Sequence, residues 1–200
     1  MLTLSYEYAG PFYGDRACVI KNKKIGYIDF DGSKVIDIIW DEVNCGKQSW
    51  KHENGRYISQ SEPWAVRKDE KWGYINRDGK IIIPLQFDHA SLFDNNRARI
   101  KIDNKWGYIN ISGDLVIEPV YDDIGIFKCI GKKGNKSYYS ALVKKYGKFG
   151  FINEDGKYIT KPLISISNYK FSFIYSHTSN ISILYIYFHA IKYNKVIISV

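Results

Sequence analysis

The sequence repeats itself at a fixed period. Residues 71–88 read KWGYINRDGKIIIPLQFD, and residues 105–122 read KWGYINISGDLVIEPVYD. Nine of the eighteen aligned positions are identical, and the two segments start 34 residues apart. A chain with such a period folds as a row of similar small units, each of which buries its apolar surface against the next. The period therefore constrains the fold more than any single motif does.

The repeat occurs four times and is aligned on one glycine in each copy. These anchor glycines, Gly26, Gly73, Gly107 and Gly150, are 47, 34 and 43 residues apart. Lysine stands two residues before each anchor, an aromatic residue one after it, and a second glycine six after it. The positions that we assign to the structural repeat are Gly26, Tyr27, Gly32, Trp72, Gly73, Tyr74, Gly79, Trp106, Gly107, Tyr108, Gly113, Phe149, Gly150, Phe151 and Gly156.

Each copy is predicted to form three antiparallel strands. Residues 98–102 alternate apolar and basic side chains, as a half-buried strand does, and a second strand over residues 105–110 follows. Asp-Gly pairs such as Asp78-Gly79 predict a hairpin turn, since Gly accepts the positive φ that such turns need. The third strand, for example residues 81–83, is expected to end near Pro84, which cannot donate to a strand ladder. The first strands are aligned on Ala17, Ala65, Ala98 and Ala141.

Stacking the copies would bury the apolar faces that a single meander leaves open. We therefore predict an all-β fold of tandem antiparallel three-stranded meander repeats in a solenoid-like array, with partial propeller or barrel-like closure as the alternative. The 17 Tyr, 10 Phe and 5 Trp residues agree, because aromatic residues favour strands. Aromatic residues at one repeat phase are expected to be core between copies rather than an exposed platform for bases or sugars. The anchor glycine should leave room for a large ring from the next copy.

Residues 1–163 are predicted to hold the four repeats, at about residues 6–43, 58–90, 91–123 and 137–163. The extra residues 45–57 and 129–139 are rich in Gly, Lys, Asn and Ser, which is typical of surface loops. The opening residues match the end of a preceding repeat, so we expect a fragment of a longer array.

The tail, residues 164–200, has no Gly, Pro, Asp, Glu or Arg and lacks the repeat. Three interpretations stay open. It is a C-terminal cap of strands, since solenoids need atypical ends, or it is degenerate sequence that continues past the last repeat. The third interpretation, a membrane segment, is disfavoured because Ser, His, Thr and Asn interrupt its apolar run.

The KWGYIN segments that begin at Lys71 and Lys105 resemble the WG-containing repeat family, also called KWG repeats, which is known mainly from bacteria. The resemblance covers roughly residues 6–163. It is weaker in the first and fourth copies, where Ile25 and Phe149 replace the Trp. It implies a β-structured array and implies no common catalytic activity, so no catalytic residues are carried over.

Acidic pairs invite a hydrolase interpretation, but their positions favour a structural one. Asp41-Glu42, Asp88-His89 and Asp122-Asp123 all occupy the end of the third strand, where Asp commonly accepts hydrogen bonds from the backbone of the following turn. The four histidines show no metal-ligand spacing, and no nucleophile or phosphate-loop motif is present. We therefore predict no catalytic, cofactor or metal site, no small-molecule substrate, and a chain that is not an enzyme.

The net charge of +8 raises the question of a polyanionic partner. The tail supplies +3 of it, and elsewhere basic and acidic residues are interleaved, which is typical of a solvated face. The leading hypothesis is a repeat module that mediates protein–protein interaction, with an unknown protein as partner. The alternative is binding of a polyanion or nucleic acid through the basic region from Lys132 to Lys148, together with exposed Tyr rings.

The cysteines and the N-terminal residues provide the sequence evidence on cellular location. Cys18, Cys45 and Cys129 are odd in number and form no C-x-x-C pair, which fits a reducing compartment or a protein indifferent to redox state. The opening residues show no basic segment followed by an apolar one. We expect a cytoplasmic protein without a signal peptide or a membrane span.

Overall fold

A computed structural model gives the fold. It describes residues 6–13, 15–44, 50–53, 56–59, 63–164, 169–178, 181–190 and 195–199. The chain divides into two compact units, residues 1–119 and residues 120–200. Among the described residues every regular element is a β-strand and none is a helix, so the all-β prediction is confirmed.

The strands are short, and all of them pair antiparallel in the sheets below. In chain order they are β1 (Tyr8–Tyr13), β2 (Arg16–Lys21), β3 (Lys24–Ile28), β4 (Lys34–Trp40), β5 (Glu42–Asn44), β6 (Trp50–Glu53), β7 (Arg56–Ser59), β8 (Trp64–Lys68), β9 (Lys71–Ile75), β10 (Ile81–Phe87), β11 (His89–Ala90), β12 (Arg97–Ile102), β13 (Lys105–Asn110), β14 (Leu115–Tyr121), β15 (Asp123–Ile124), β16 (Lys128–Lys133), β17 (Lys136–Lys145), β18 (Lys148–Asn153), β19 (Tyr158–Ile164), β20 (Tyr169–Thr178), β21 (Ile181–Ala190) and β22 (Lys195–Ser199).

The first unit contains three sheets of four strands and the two-stranded sheet β6-β7; the last strand of the third sheet, β14, ends at Tyr121. Sheet 1 has the order β1-β2-β3-β4, sheet 2 the order β5-β8-β9-β10, and sheet 3 the order β11-β12-β13-β14. Each sheet is open at both edges. The expected three strands per copy are joined by a fourth, such as β11, which pairs His89 with Lys101 and Ala90 with Ile100. A strand of two residues has no periodicity, so no sequence pattern indicates it.

The second unit holds sheet 4, with the order β15-β17-β18-β19 and β16 added alongside β17. The tail forms a separate three-stranded antiparallel sheet, β20-β21-β22. Within the described part of the chain, no helix is long and apolar enough to cross a membrane.

The segments expected to be surface loops contain strands. β6 and β7 form a two-stranded sheet that begins within residues 45–57 and ends at Ser59, and β16 pairs with β17 across Gly134 and Asn135. These insertions are thus β-hairpins where they are described, and they contain no Pro that would interrupt the strand pairing. Cys45 lies outside the described residues.

Two kinds of turn connect the three long strands of a copy. The first hairpin turn has two residues in the left-handed region, as in Asp69 (φ 50°) and Glu70 (φ 66°), which matches the twist of the flanking strands. The second turn ends on the repeated glycine, with φ of 79° at Gly79 and 90° at Gly113. Its residue Asn76 both donates from its backbone to Lys80 O and accepts from Gly79 N, at 2.9 and 3.0 Å.

The third strand does not end at its proline. β10 continues through Pro84 to Phe87, and the register shifts between Ile83 and Phe87. The expectation was wrong because β10 is the edge strand of sheet 2. A proline lacks the N–H donor, but at a bulge of an edge strand no carbonyl of a neighbouring strand needs that donor.

The anchor glycine touches backbone rather than a ring of the next copy. A Cβ at Gly73 would lie 2.7 Å from the carbonyl oxygens of Ile83 and Pro84, on the third strand of its own sheet. The other anchors meet the same strand: Gly26 at Ile36 and Ile38, Gly107 at Ile117 and Pro119, and Gly150 at Thr160 and Pro162. The expected role in making room for a large ring is therefore corrected: glycine permits the bulged third strand to lie against the second.

Successive sheets of the first unit share apolar cores. The core between sheets 1 and 2 is formed by Tyr27, Ile36, Trp40, Trp64, Val66 and Ile75. The core between sheets 2 and 3 is formed by Ala65, Trp72, Tyr74, Ile83, Phe87, Ala90, Ala98, Ile100 and Ile109. Each fully buried Ile contributes about 1.5–3 kcal/mol relative to exposure. These shared cores bind one copy to the next.

The second glycine of the second and third copies also packs against the preceding copy. The Cβ position of Gly79 lies 3.5 Å from Ile36, and that of Gly113 lies 3.3 Å from the side chain of Ile83. Because these turn residues have positive φ, glycine serves both the local turn and the close approach between sheets.

Trp64 breaks the alignment of the first strands. It pairs with Ile75, as Ala98 pairs with Ile109 and Ala17 with Ile28. The alignment on Ala65 was therefore wrong by one residue, and the second copy carries Trp where the others carry Ala. Trp64 is 1% exposed, and its ring lies 5.4 Å from that of Tyr27.

Candidate functional site

A repeated acid accepts hydrogen bonds from a turn in the following copy; the acid follows the third strand in the first three copies, and Glu7 precedes β1. The pairs are Glu7 with Asn22 N (2.9 Å), Asp41 with Asp69 N (3.1 Å), Asp122 with Gly147 N (3.1 Å), and Asp88 with the backbone of Asp103 and Asn104. This turn is the first hairpin turn of the following copy. One copy thereby completes the hydrogen bonding of the next.

The lysine that precedes the anchor neutralises this acid. Lys71 Nζ donates to Asp88 Oδ1 at 2.6 Å, and Lys24 Nζ donates to Asp41 Oδ1. These hydrogen bonds hold the pKa of Asp88 and of Asp41 below the usual range of a carboxyl group. A carboxylate whose pKa is lowered and whose oxygens accept internal donors is poorly suited to act as a general acid or base.

A second polar position closes the other turn. Asn76 Oδ1 accepts from the backbone of Asp78 and Lys80 at 3.0 and 2.9 Å. The same pair of hydrogen bonds recurs at Asn110, Asn153 and Asp29. The side chain at this position, which directly precedes the turn, therefore makes its hydrogen bonds within its own turn.

The aromatic residue after each anchor is buried. Tyr27, Tyr74, Tyr108 and Phe151 are each less than a tenth exposed. Tyr74 Oη donates to Ser91 O at 2.7 Å, and burial raises the pKa of the Tyr108 phenol to about 12. The residue before the anchor is more variable: Trp72 is buried, whereas Ile25, Trp106 and Phe149 are half-buried.

One row of rings and cations lies on the surface of the first unit. The His89 ring lies 5.6 Å from Trp72 and 5.1 Å from Trp106. Arg99 and Lys101 lie over the Trp106 ring at 5.9 and 5.8 Å from its centroid. Burial lowers the pKa of His89, and both cations lower it further. The sequence signal for this row is His89 itself, which replaces the acid found at the same position in other copies.

The basic region lies on sheet 4. Lys132 is exposed on β16, while the side chains of Lys133 and Lys136 lie outside the described residues. A concave pocket of about 300 Å³, open to solvent, is lined by Lys145, Tyr146, Lys148, Tyr158 and Pro162. The structure therefore brings two of the predicted lysines, Lys145 and Lys148, together with tyrosine rings.

Three segments of the chain, residues 2–24, 72–106 and 106–136, match the family model described as the WG containing repeat. These three segments of the chain are WG-containing repeats. No curated protein and no solved structure matches it. The family match includes the segment from Trp72 to Trp106, which spans one complete WG repeat with its anchor, both turns and its acid.

The residues that recur from copy to copy of the WG repeat thus stabilise the repeat's own fold. The lysine pairs with the acid, and the anchor glycine, the aromatic residue, the turn glycine and the acid contact backbone or core within or between sheets. Within the described part of the chain, no group of three or more His, Cys, Asp or Glu residues is placed to hold a metal ion. For His52, His177 and His189 only the backbone is described.

Proposed function

We propose that the chain is a non-enzymatic WG-repeat module that mediates protein–protein interaction. The observation that carries this proposal is a set of exposed aliphatic side chains at equivalent positions of consecutive copies. Ile81 and Ile82 on β10 are 48% and 42% exposed, and Leu115 and Val116 on β14 are 44% and 38% exposed. These residues lie on the edge strands of sheets 2 and 3.

Exposed aliphatic groups on edge strands favour contact with another polypeptide. An edge strand presents unpaired backbone N–H and C=O groups, to which an extended segment can add. Apolar side chains beside that edge supply the area that is buried on binding. The partner that fits this surface is therefore a protein segment in extended conformation with aliphatic side chains at alternate positions.

We also propose that the three sheets of the first unit form a solenoid-like stack. The cores shared by sheets 1 and 2 and by sheets 2 and 3 support this arrangement. In such a stack, equivalent edge strands follow one another, so that the aliphatic pairs of β10 and β14 belong to one surface. The repeat then sets the spacing of the binding positions.

The proposal that the module is not an enzyme rests on how its acids are used. Asp41 and Asp88 both accept hydrogen bonds from a lysine ammonium group and from the backbone of the next copy. An activity that disappears in Asp88→Asn, in protein whose unfolding transition is otherwise intact, would overturn it. We further propose a cytoplasmic location, which fits the exposed Cys129 thiol, and which fractionation of cells expressing tagged protein tests.

The interaction surface is tested with a matched pair of variants on one strand. Ile82→Lys and Gln86→Lys change the charge equally at two exposed positions of β10. Proteins crosslinked to the wild-type chain in living cells are identified and quantified by mass spectrometry. We expect a partner that is lost with Ile82→Lys and retained with Gln86→Lys, because only the first removes aliphatic surface. Equal recovery with both variants would contradict the proposal.

A further inference from the structure

The pocket on sheet 4 differs from the equivalent place in the other WG repeats. We propose that the pocket formed by Lys145, Tyr146, Lys148 and Tyr158 binds a nucleotide, with its phosphate on the lysines and its base against the tyrosine rings. This proposal is independent of the protein-interaction surface, which uses residues of the first unit. Three observations carry it.

The first observation is a lysine without its usual acid. Lys24 and Lys71, which precede their anchors as Lys148 precedes Gly150, are paired with Asp41 and Asp88. Seventeen residues after the lysine, the fourth copy has Ser165, which carries no charge and lies outside the described residues. The repeat's own neutralising carboxylate is therefore missing from the sequence at Lys148. Its side chain is exposed at the pocket.

The second observation is an aromatic residue in a left-handed conformation. Tyr146 has φ of 52° and is 84% exposed. The same turn position holds Asn22, Asp69 or Asp103 in the other copies, and Asn and Asp adopt positive φ far more readily than Tyr does. Neither burial nor backbone preference explains a tyrosine there. A ring at an exposed, strained turn fits a role in binding.

The third observation is the arrangement of rings around the cations. Lys145 Nζ lies 5.7 Å from the centroid of Tyr121 and 5.6 Å from that of Tyr146. Tyr158 lies edge-on to Tyr121 at 6.5 Å. The carboxylate nearest in the repeat pattern, Asp122, accepts a hydrogen bond from Gly147 N. That acid offsets part of the positive charge but is held on the turn backbone.

The combination of lysine ammonium groups and tyrosine rings indicates the chemical class of the ligand. Ammonium groups bind phosphate oxygens, and tyrosine rings stack on bases of any sequence. The volume of about 300 Å³ is at the lower end of small-molecule pockets, which fits one nucleotide rather than several. Acidic peptides satisfy the lysines but leave the rings unused. A free nucleotide and one residue of a single-stranded nucleic acid present the same chemistry here.

Binding to the full chain is measured by calorimetry and fluorescence anisotropy at low ionic strength. The probes are inorganic phosphate, adenosine monophosphate, a short oligothymidylate and a polyglutamate peptide. Lys148→Gln is compared with Lys132→Gln, which removes the same charge from an exposed site on β16. Tyr146→Asn removes the ring and restores a residue that favours positive φ, so the folded chain should be at least as stable.

We expect Lys148→Gln and Tyr146→Asn each to weaken nucleotide binding roughly five-fold or more, and Lys132→Gln to have a smaller effect. Binding of adenosine monophosphate identifies a free nucleotide as sufficient, whereas binding of oligothymidylate alone identifies a single strand. Both results support the site. Equal losses with Lys132→Gln and Lys148→Gln, polyglutamate binding as tight as that of oligothymidylate, or no binding of either nucleotide probe would overturn it.

Discussion

Replacing Gly73 by Ala tests the close contact between the second and third strands of a WG repeat. The added Cβ would lie 2.7 Å from two backbone oxygens and 2.8 Å from the carbonyl carbon of Pro84. Carbon atoms reach their best non-bonded distance at about 3.5–4.0 Å, so β10 must move outward by roughly half an ångström or more. Backbone atoms cannot rotate away as a flexible side chain can.

The expected loss of stability follows from that displacement. Overpacking costs about 1–3 kcal/mol, and one weakened hydrogen bond between β9 and β10 adds about 1 kcal/mol. Against this loss, alanine stabilises the folded chain by about 0.5–1 kcal/mol relative to glycine, because alanine loses less backbone entropy on folding. The net loss is roughly 1–3 kcal/mol, which corresponds to a fall in Tm of about 2–12 °C.

Thermal unfolding followed by circular dichroism measures this loss, with Gly10→Ala as the control. A Cβ at Gly10 would meet its nearest atom, in the Tyr8 ring, at the ordinary contact distance of 3.4 Å. Gly10→Ala should therefore leave Tm unchanged or slightly raised. If Gly73→Ala and Gly10→Ala shift Tm equally, the close backbone contact does not explain the anchor glycine.

Three further predictions concern buried groups of the first unit. Trp64→Ala restores the residue type of the other copies but should lower the free energy of unfolding by about 3–5 kcal/mol in urea titrations, since it leaves a cavity; an unchanged midpoint would contradict this. Arg16 is 8% exposed, its Nε and Nη1 lack hydrogen-bond partners among the described residues, and its ion pairs with Asp15 and with the largely exposed Asp78 are long, at 3.7 and 3.6 Å. Arg16→Met should therefore be neutral or stabilising by about 1 kcal/mol, whereas Arg77→Met, which frees Asp15, should destabilise; the reverse order would refute the reasoning. The Tyr108 phenol has a pKa of about 12 in the fold against 10.0 when unperturbed. The stability from its neutral form is complete below pH 10 and is lost as pH rises towards 12, at up to about 1.4 kcal/mol per pH unit. Alkaline unfolding of Tyr108→Phe should show a weaker pH dependence, and an identical slope would count against buried Tyr108.

The sequence predicted features that depend on short-range geometry. The second turn was readable because Asp78-Gly79 demands positive φ at one residue, and Gly79 has it. The acids were assigned to turns because they recur at one phase. The turn they serve was not readable from the sequence, because it belongs to the next copy: Asp41 reaches Asp69, which is 28 residues away.

Features that depend on long-range packing were missed. β11 is only two residues long and is fixed by pairing with β12, so it has no pattern of its own. Trp64 was misaligned because an alanine follows it directly, and only its pairing with Ile75 reveals the register. The pocket at Lys145 and Lys148 was anticipated as a charged region, but its concavity arises from the pairing of β17, β18 and β19.

The hydrogen bond between an acid of one copy and a turn of the next has a consequence for how such a chain changes length in evolution. Glu7, Asp41 and Asp88 each complete a turn that lies downstream of them. A gene segment that is duplicated or deleted by one whole period carries one acid and one turn with it, wherever the cut falls. Within the copies that carry both residues, each turn of the altered chain still meets an acid, as Asp41 and Asp88 still meet Lys24 and Lys71. Recombination can therefore lengthen or shorten the array without leaving an unsatisfied junction, and copy number can evolve separately from the surface that each copy displays.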